Sequence, residues 1–429
     1  MKTHAIGIDF GTTKTLVSHI NPQTGGAETI RLGRGCDYLP SSVYVDANGH
    51  FMFGDDADDM VEDETGVYLR GFKMKLGSSA HLHMYMEGSG LRTLTAKDLV
   101  YEYLRYIKGL VEEKAFMGEP VTKAVITRPV NFTPAQSEEL QHAAQAAGFA
   151  NVEFTSEPEA AGFATVEFTT EPEAAGLAFC RLQAAHAFKG NALVVDWGGG
   201  TLDFALVSRK GDTVSTHRSH TDGDTTMGGE VFDERLWMYV NMEMKKQGVS
   251  LNPVAMLPKV RLGKEQLSAR DSINLRLSHP QGVTTLPLAR NVFNCMIASD
   301  VDKAVEKVKS LLKGIPAALK PEMLLLVGGS SQIPLIKEKL EKACALPAKY
   351  WANSREAVAL GACLWGTKAA PEPAPAPKPV LSPKVTPAPK PQLVDIAKKA
   401  QENALKKARD LYFKAMDLLY REDYEPAVP

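Results

Sequence analysis

Three observations predict an α/β fold for residues 1–366. Strand-like apolar runs alternate with helical patterns along that stretch, which calls for layered sheets and helices. Two glycine-rich turns, one after Asp9 and one after Asp196, each follow an apolar strand and end in threonine. The chain of 429 residues is 44% apolar with 49 basic against 51 acidic side chains, the composition of a globular protein of more than one domain.

The strands expected in order are Ala5–Asp9, Val121–Thr127, Ala192–Asp196 and Met323–Val327, each a short apolar run closed by a turn signal. Helices are expected over Thr95–Glu113, Thr133–Ala147, Val301–Leu312 and Ile333–Ala345, where apolar residues recur at steps of three and four. The N-terminal run Ala5–Ile8 is too short and too soon acidic for a signal peptide, and no stretch approaches the roughly 20 apolar residues of a membrane span. No membrane association is therefore expected, and the cytoplasm is the expected address. A net charge of −2 gives no general reason to bind nucleic acid. Cys36, Cys180, Cys295, Cys344 and Cys363 stand too far apart for a zinc ribbon or a disulfide framework, so buried thiols in a reducing compartment are expected.

Asn151–Ala164 (NVEFTSEPEAAGFA) is followed at once by a near copy, Thr165–Ala178 (TVEFTTEPEAAGLA), and only one copy can fill a single strand-turn-helix slot. Residues 367–391 form a linker, with nine prolines between Ala369 and Pro391 that favour an extended polyproline tether. Over residues 392–429 the stripe Leu393, Ile396, Ala400, Ala404, Ala408, Leu411, Ala415 and Leu418 predicts one amphipathic helix. Such a helix has no core of its own, so it docks on the main body, a second copy or a protein partner. Its small-residue stripe faintly resembles the first part of a tetratricopeptide-type repeat, but one unit makes no array.

The chemistry concentrates in four turns. In the first, Gly7-Ile8-Asp9-Phe10-Gly11-Thr12-Thr13, and the second, Asp196-Trp197-Gly198-Gly199-Gly200-Thr201, glycines let successive backbone N–H groups point at phosphate oxygens while threonine hydroxyls add donors. An Asp at each strand end can hold Mg²⁺ through water, which makes Asp9 and Asp196 the metal candidates. Two such hairpins from separate halves of the chain would clamp a triphosphate. A third turn, Leu326-Val327-Gly328-Gly329-Ser330-Ser331-Gln332, leads into a helix whose N-terminus faces the ligand, and a fourth, Gly223 to Glu230 with Gly228 and Gly229, precedes a helix near Phe232. The Walker spacing GxxxxGK[ST] is absent.

With GIDFGTT, DWGGGTLDFALV, GDTTMGGEVFD and LVGGSSQIP in that order, residues 3–366 resemble the nucleotide-binding domain of the 70-kDa heat-shock (DnaK-type) chaperones, in the actin-like ATPase superfamily. The resemblance implies a two-lobed fold of duplicated ribonuclease-H-like halves with ATP or ADP and Mg²⁺ in the cleft. It implies that Asp9, Gly11, Thr12 and Thr13 form the first phosphate loop, and Asp196, Gly198, Gly199, Gly200 and Thr201 the second. Gly228, Gly229, Gly328, Gly329 and Ser330, with the retained Lys264 and Ser268, complete the nucleotide contacts it implies. Lys73, in GFKMKLG, matches the lysine that faces the γ-phosphate and attacking water, and charge stabilisation of that kind is what phosphoryl transfer needs. Pro129 matches the residue coupling nucleotide state to lobe movement. The glutamate that orients water or Mg²⁺ has two candidates: Glu157 has the spacing counted forward from Pro129, and Glu171 is closer counted back from Asp196 and has the more family-like helix start.

Departures accompany the matches. The two arginines that sandwich adenine align here with Glu265 and Gln332, and neither side chain stacks as a guanidinium does. A ribose-contacting glutamate aligns with Arg261, and a relay arginine with Ser137. The peptide-binding β-sandwich of full chaperones has no counterpart in the about 38 residues after the linker, too few for such a domain. The expected protein is an ATP-binding, slowly hydrolysing, chaperone-like ATPase with client proteins or co-chaperones as partners. The alternatives are a non-hydrolysing nucleotide-dependent scaffold and a small-molecule kinase on the same superfamily fold.

Overall fold

The computed structural model describes residues 4–366 apart from 64, 80, 87–89, 122, 150–164, 183–189, 211–212 and 351–354. The chain divides into two units, Met1–Pro371 and Glu372–Pro429. The second unit, and with it the linker and C-terminal helix expected from sequence, lies outside the described residues.

The first unit is mixed α/β and is built around two sheets of like topology. In the first, Ala5–Phe10, Lys14–Ile20 and Ala27–Thr29 run as an antiparallel meander, Tyr38–Pro40 also pairs with Lys14–Ile20, and Lys123–Arg128 and Thr165–Thr170 add in parallel on the other side of Ala5–Phe10. In the second, Gly190–Trp197, Leu202–Lys210 and Thr213–Asp224 form the meander, and Met323–Val327 and Ala348–Tyr350 add in parallel. The halves are thus duplicates at the level of strand order. The parallel strand Met323–Val327 is buried at every residue, as expected where helices cover both faces of a sheet.

Local chemistry sets the helix limits. Ala96–Phe116 starts at a capping box in which Thr95 accepts from Asp98 N and Asp98 answers to the Thr95 backbone. Pro134–Ala146 starts the same way with Thr133 and Gln136, and its first residue is a proline that has no N–H to leave unpaired. The helix expected over Val301–Leu312 is longer, Arg290–Gly314, because Ile297 and Phe293 continue its buried stripe one and two turns upstream. Pro334–Cys344 ends at Ala345 in a left-handed conformation.

Two helices tie the halves together. Glu171–Leu182 follows the last strand of the first sheet yet packs on Gly190–Trp197 and Leu202–Lys210 of the second. Ala357–Gly366 follows the last strand of the second sheet yet packs on Ala5–Phe10, Lys14–Ile20 and Lys123–Arg128 of the first. The two helices also pack on each other, and small residues permit close approach: a Cβ on Gly361 would lie 1.7 Å from the Ala174 carbonyl oxygen. Separate apolar cores fill the halves, one around Phe10, Tyr103 and Leu140, the other around Trp197, Phe232 and Phe293. Among the described residues no helix is long and apolar enough to cross a membrane, and Cys36, Cys295, Cys344 and Cys363 are free thiols.

Candidate functional site

The two Asp-Gly turns meet. A cleft between the halves is lined by Asp9, Gly11, Thr12 and Thr13 from the first hairpin and by Asp196, Gly198, Gly199, Gly200 and Thr201 from the second. A Cβ added to Gly200 would lie 2.3 Å from Thr12 Oγ1, and one on Gly199 would lie 2.5 Å from Thr13 Oγ1. Only glycine lets these backbones come so close. Neighbouring turns fix the second hairpin: Gly229 N and Ser330 Oγ donate to the Gly198 carbonyl at 3.0 and 2.8 Å, and Glu230 N donates to the Gly199 carbonyl at 2.8 Å. Because a trans peptide sets its N–H opposite its C=O, the amides of Gly199 and Gly200 point the other way, an arrangement suited to an anion. Gly228 and Gly229 brace this loop from behind, while Gly328, Gly329 and Ser330 line the cleft directly.

Acidic side chains gather beneath the turns. Asp9 and Asp196 close their strands, and Asp203 faces Asp196 across the hairpin in register. Lys73, on the short turn Phe72–Lys75 and only 2% exposed, donates to the Phe10 carbonyl and to Glu171 Oε1, the latter at 2.7 Å. Burial, then the nearby Glu171 carboxylate, pushes Asp9 up to about 7 against the opposing pull of Lys73. Burial raises Asp196 well above the usual carboxylate range, and Glu171, Asp9 and Asp203 add to it. Asp203 reaches about 7 for the same first reason, although Val130 N donates to its Oδ1 at 2.8 Å, and its Oδ2 is buried without a partner.

Around Lys73 the side chains of Asp9, Asp196, Asp203 and Glu171 set four carboxyl groups against one lysine, and that local shortage of positive charge fits a divalent cation. Among the described residues no group of three or more His, Cys, Asp or Glu side chains is arranged to hold a metal directly. The donors present therefore suit a hydrated ion bridged through water, as Mg²⁺ prefers.

The remaining wall comes from the helix Pro253–Ala269, where Arg261, Lys264, Glu265 and Ser268 fall at i, i+3, i+4 and i+7 and all line the cleft. Lys264 Nζ sits 2.7 Å from Asp233 Oδ1 and donates to the Gly229 carbonyl at 2.8 Å, while Arg261 Nε donates to Asp233 Oδ2 at 3.1 Å. Glu265 accepts from Lys14 of the first sheet at 3.0 Å, and Lys14 also lies over the Tyr38 ring at 4.4 Å. Gln332, at the end of the turn Ser330–Gln332, also lines the cleft.

Of the two competing glutamates, Glu171 opens the helix Glu171–Leu182 and lines the cleft, whereas Glu157 and the first repeat copy lie outside the described residues. Pro129 precedes Val130, whose amide reaches Asp203 across the halves, and Ser137 Oγ accepts from Arg128 at 3.2 Å. Sequence reasoning passed over Asp203, Asp233, Lys14 and Tyr38. Asp203 alone had a local signal, a lone carboxylate in the apolar strand LDFALV.

The family description "Hsp70 protein" matches residues 5–374. The chain is also similar to the "Chaperone protein DnaK" of Thermosipho africanus (strain TCF52B), at 28% identity over 385 residues that cover 85% of this chain. It spans 58% of the length of that relative. With the duplicated sheets, the facing glycine turns and a match over most of its length, this chain belongs to the Hsp70 family.

Proposed function

We propose that the cleft binds ATP with Mg²⁺ and hydrolyses it slowly, and that the halves open and close with nucleotide state to act on client proteins or co-chaperones. The observation that carries this reading is the meeting of Gly11–Thr13 with Gly198–Thr201 directly over the Asp9, Asp196, Glu171 and Lys73 cluster. Backbone amides and the hydroxyls of Thr12, Thr13 and Thr201 would cradle the phosphates. Lys73, held between Phe10 and Glu171, would place positive charge beside the transferring phosphoryl oxygens. Glu171 and Thr201 would orient the attacking water, whose oxygen bonds to the γ-phosphorus as the bond to the β,γ-bridging oxygen breaks and a proton passes to phosphate or solvent. When bound, Mg²⁺ supplies positive charge to the phosphates, and Asp9 and Asp196 are the residues that would hold it through water. Ser268 and Lys264 would face the ribose end, and the free thiols suit the cytoplasm.

Calorimetric titration with ATP and ADP in Mg²⁺, followed by phosphate release on the same sample, tests this. Binding with slow release is expected. Absence of binding at millimolar nucleotide would sink the reading. Binding without release would favour a nucleotide-dependent scaffold, the reading that Glu265 and Gln332 in the cleft wall support.

A further inference from the structure

We infer that the unpaired edge of the Arg261 guanidinium binds a phosphate group on the ribose, so that the cleft selects a nucleotide that is also phosphorylated at its 2′ or 3′ position. The inference rests on the cleft being the nucleotide site. Arg261 lies on the helix Pro253–Ala269, lines the cleft and is only 9% exposed. A guanidinium carries five N–H donors in a rigid plane. Among the described residues only the Nε–H of Arg261 has a hydrogen-bond partner, Asp233 Oδ2 at 3.1 Å. Its Nη1 is buried with no partner, and its Nη2 stands 3.7 Å from Glu230 Oε1, beyond hydrogen-bond distance. A buried donor left without an acceptor is costly, so this edge of the side chain calls for an oxygen ligand.

The neighbours of Arg261 say where that ligand sits. The Gly229 amide donates to the Gly198 carbonyl of the second glycine turn, and Lys264 Nζ donates to the Gly229 carbonyl at 2.8 Å. Lys264 and Arg261 share Asp233, so the guanidinium stands beside the turn that would hold the 5′-phosphates without being part of it. One helical turn separates Arg261 from Lys264, which the nucleotide reading sets at the ribose. The two cations exceed the one carboxylate they share, and Glu230 also lies close to Arg70, so an anion at Arg261 meets unmatched positive charge. An acidic side chain beside a ribose accepts from its hydroxyls, whereas an arginine there pairs with a ribose phosphate through parallel N–H···O bonds.

The test uses the full chain with Mg²⁺ and calorimetric titration of ADP, ADP 3′-phosphate and its 2′-phosphate isomer. One of the two phosphorylated nucleotides should bind about tenfold more tightly than ADP, the scale of a charge-assisted hydrogen bond. Arg261→Met, which removes the charge, should bring that ratio to about one, and Arg261→Lys, which keeps a cation beside Asp233 but loses the fork, should leave it in between. A ratio of affinities within one protein does not move when a variant merely loses folded material, so a structural role for Arg261 would leave it unchanged. Should Arg261→Met fail to fold, the parent ratio and Arg261→Lys still decide. Phosphorylated nucleotides that bind no more tightly than ADP, or a gain that persists without the arginine, would overturn the inference and leave the nucleotide reading intact. Tightening of ADP binding by added inorganic phosphate, with no gain from either ribose phosphate, would assign the fork to a free anion and overturn it equally. If none of the three nucleotides binds, the nucleotide reading itself has failed and the inference falls with it.

Discussion

Lys73 Nζ lies 2.7 Å from Glu171 Oε1, joining the turn Phe72–Lys75 to the first residue of the helix Glu171–Leu182 within the buried cluster that also holds Asp9, Asp196 and Asp203. The lysine is the cation that offsets that cluster. Lys73→Ala should lower turnover by at least roughly 10²-fold while nucleotide affinity changes much less, as expected for charge stabilisation confined to the transition state. It should also destabilise the ligand-free protein by about 3 kcal/mol at neutral pH, because a buried carboxylate loses its partner. Single-turnover kinetics, calorimetry and urea denaturation check the three quantities, and retained turnover would remove Lys73 from the mechanism.

The repeated segment offers two glutamates for one place. Glu171 lines the cleft, and the strand before it pairs in register with Lys123–Arg128. Glu171→Ala should therefore cost roughly 10²-fold or more in phosphate release, the scale of a lost water-orienting or acid-base group, while Glu157→Ala leaves release within twofold. Equal losses from the two changes would mean that the copies exchange in the slot.

Protonation of the carboxylate cluster links stability to pH. Asp9 and Asp203 are each raised from an ordinary carboxylate value to about 7 in the folded protein, so the folded state holds more protons than the unfolded state between these limits. The contribution is fully present below about pH 4, where both states are protonated, and is lost as pH rises through 7. Thermal unfolding without divalent cation should accordingly show a stability contribution that declines from pH 4 to 7. Adding Mg²⁺ should recover part of it at pH 7 and none at pH 4. A flat profile with and without Mg²⁺ would show that these carboxyls are hydrated in solution.

Much of this architecture was legible in the sequence for a local reason. Thr95 and Thr133 announce their helices through residues three positions on, and the four expected strands are short apolar runs ended by turns. The Asp-Gly turns were legible because a close backbone approach leaves only glycine as a choice, which marks the sequence strongly. What stayed hidden depends on partners far along the chain. The i+4 spacing of Arg261 and Glu265 says that they share a helix face, but nothing in it says that Asp233 receives one and Lys14 the other. Nor does the apolar run AVALGACLWG disclose that its helix leaves the second sheet to pack on the first. A helix apolar on every face signals burial without naming the surface that buries it.

That crossing of helices joins the two halves, and it can be probed through one glycine. A methyl group on Gly361 would meet the backbone of Ala174, 1.7 Å from its oxygen and 2.3 Å from its carbonyl carbon, so no side-chain rotation can make room. The helices Glu171–Leu182 and Ala357–Gly366 would have to separate and open the small-residue packing around Ala174, Ala178 and Ala357. Gly361→Ala should cost about 3 kcal/mol or more, at the upper end for overpacking, despite the better helix propensity of alanine. Gly109→Ala supplies the contrast: it lies on the exposed face of the helix Ala96–Phe116 with nothing within 4 Å of an added Cβ. That change should stabilise the protein by roughly 0.5–1 kcal/mol. Urea denaturation of the two variants measures both signs, and a Gly361→Ala protein as stable as the parent would mean that the two helices do not cross at this distance in solution.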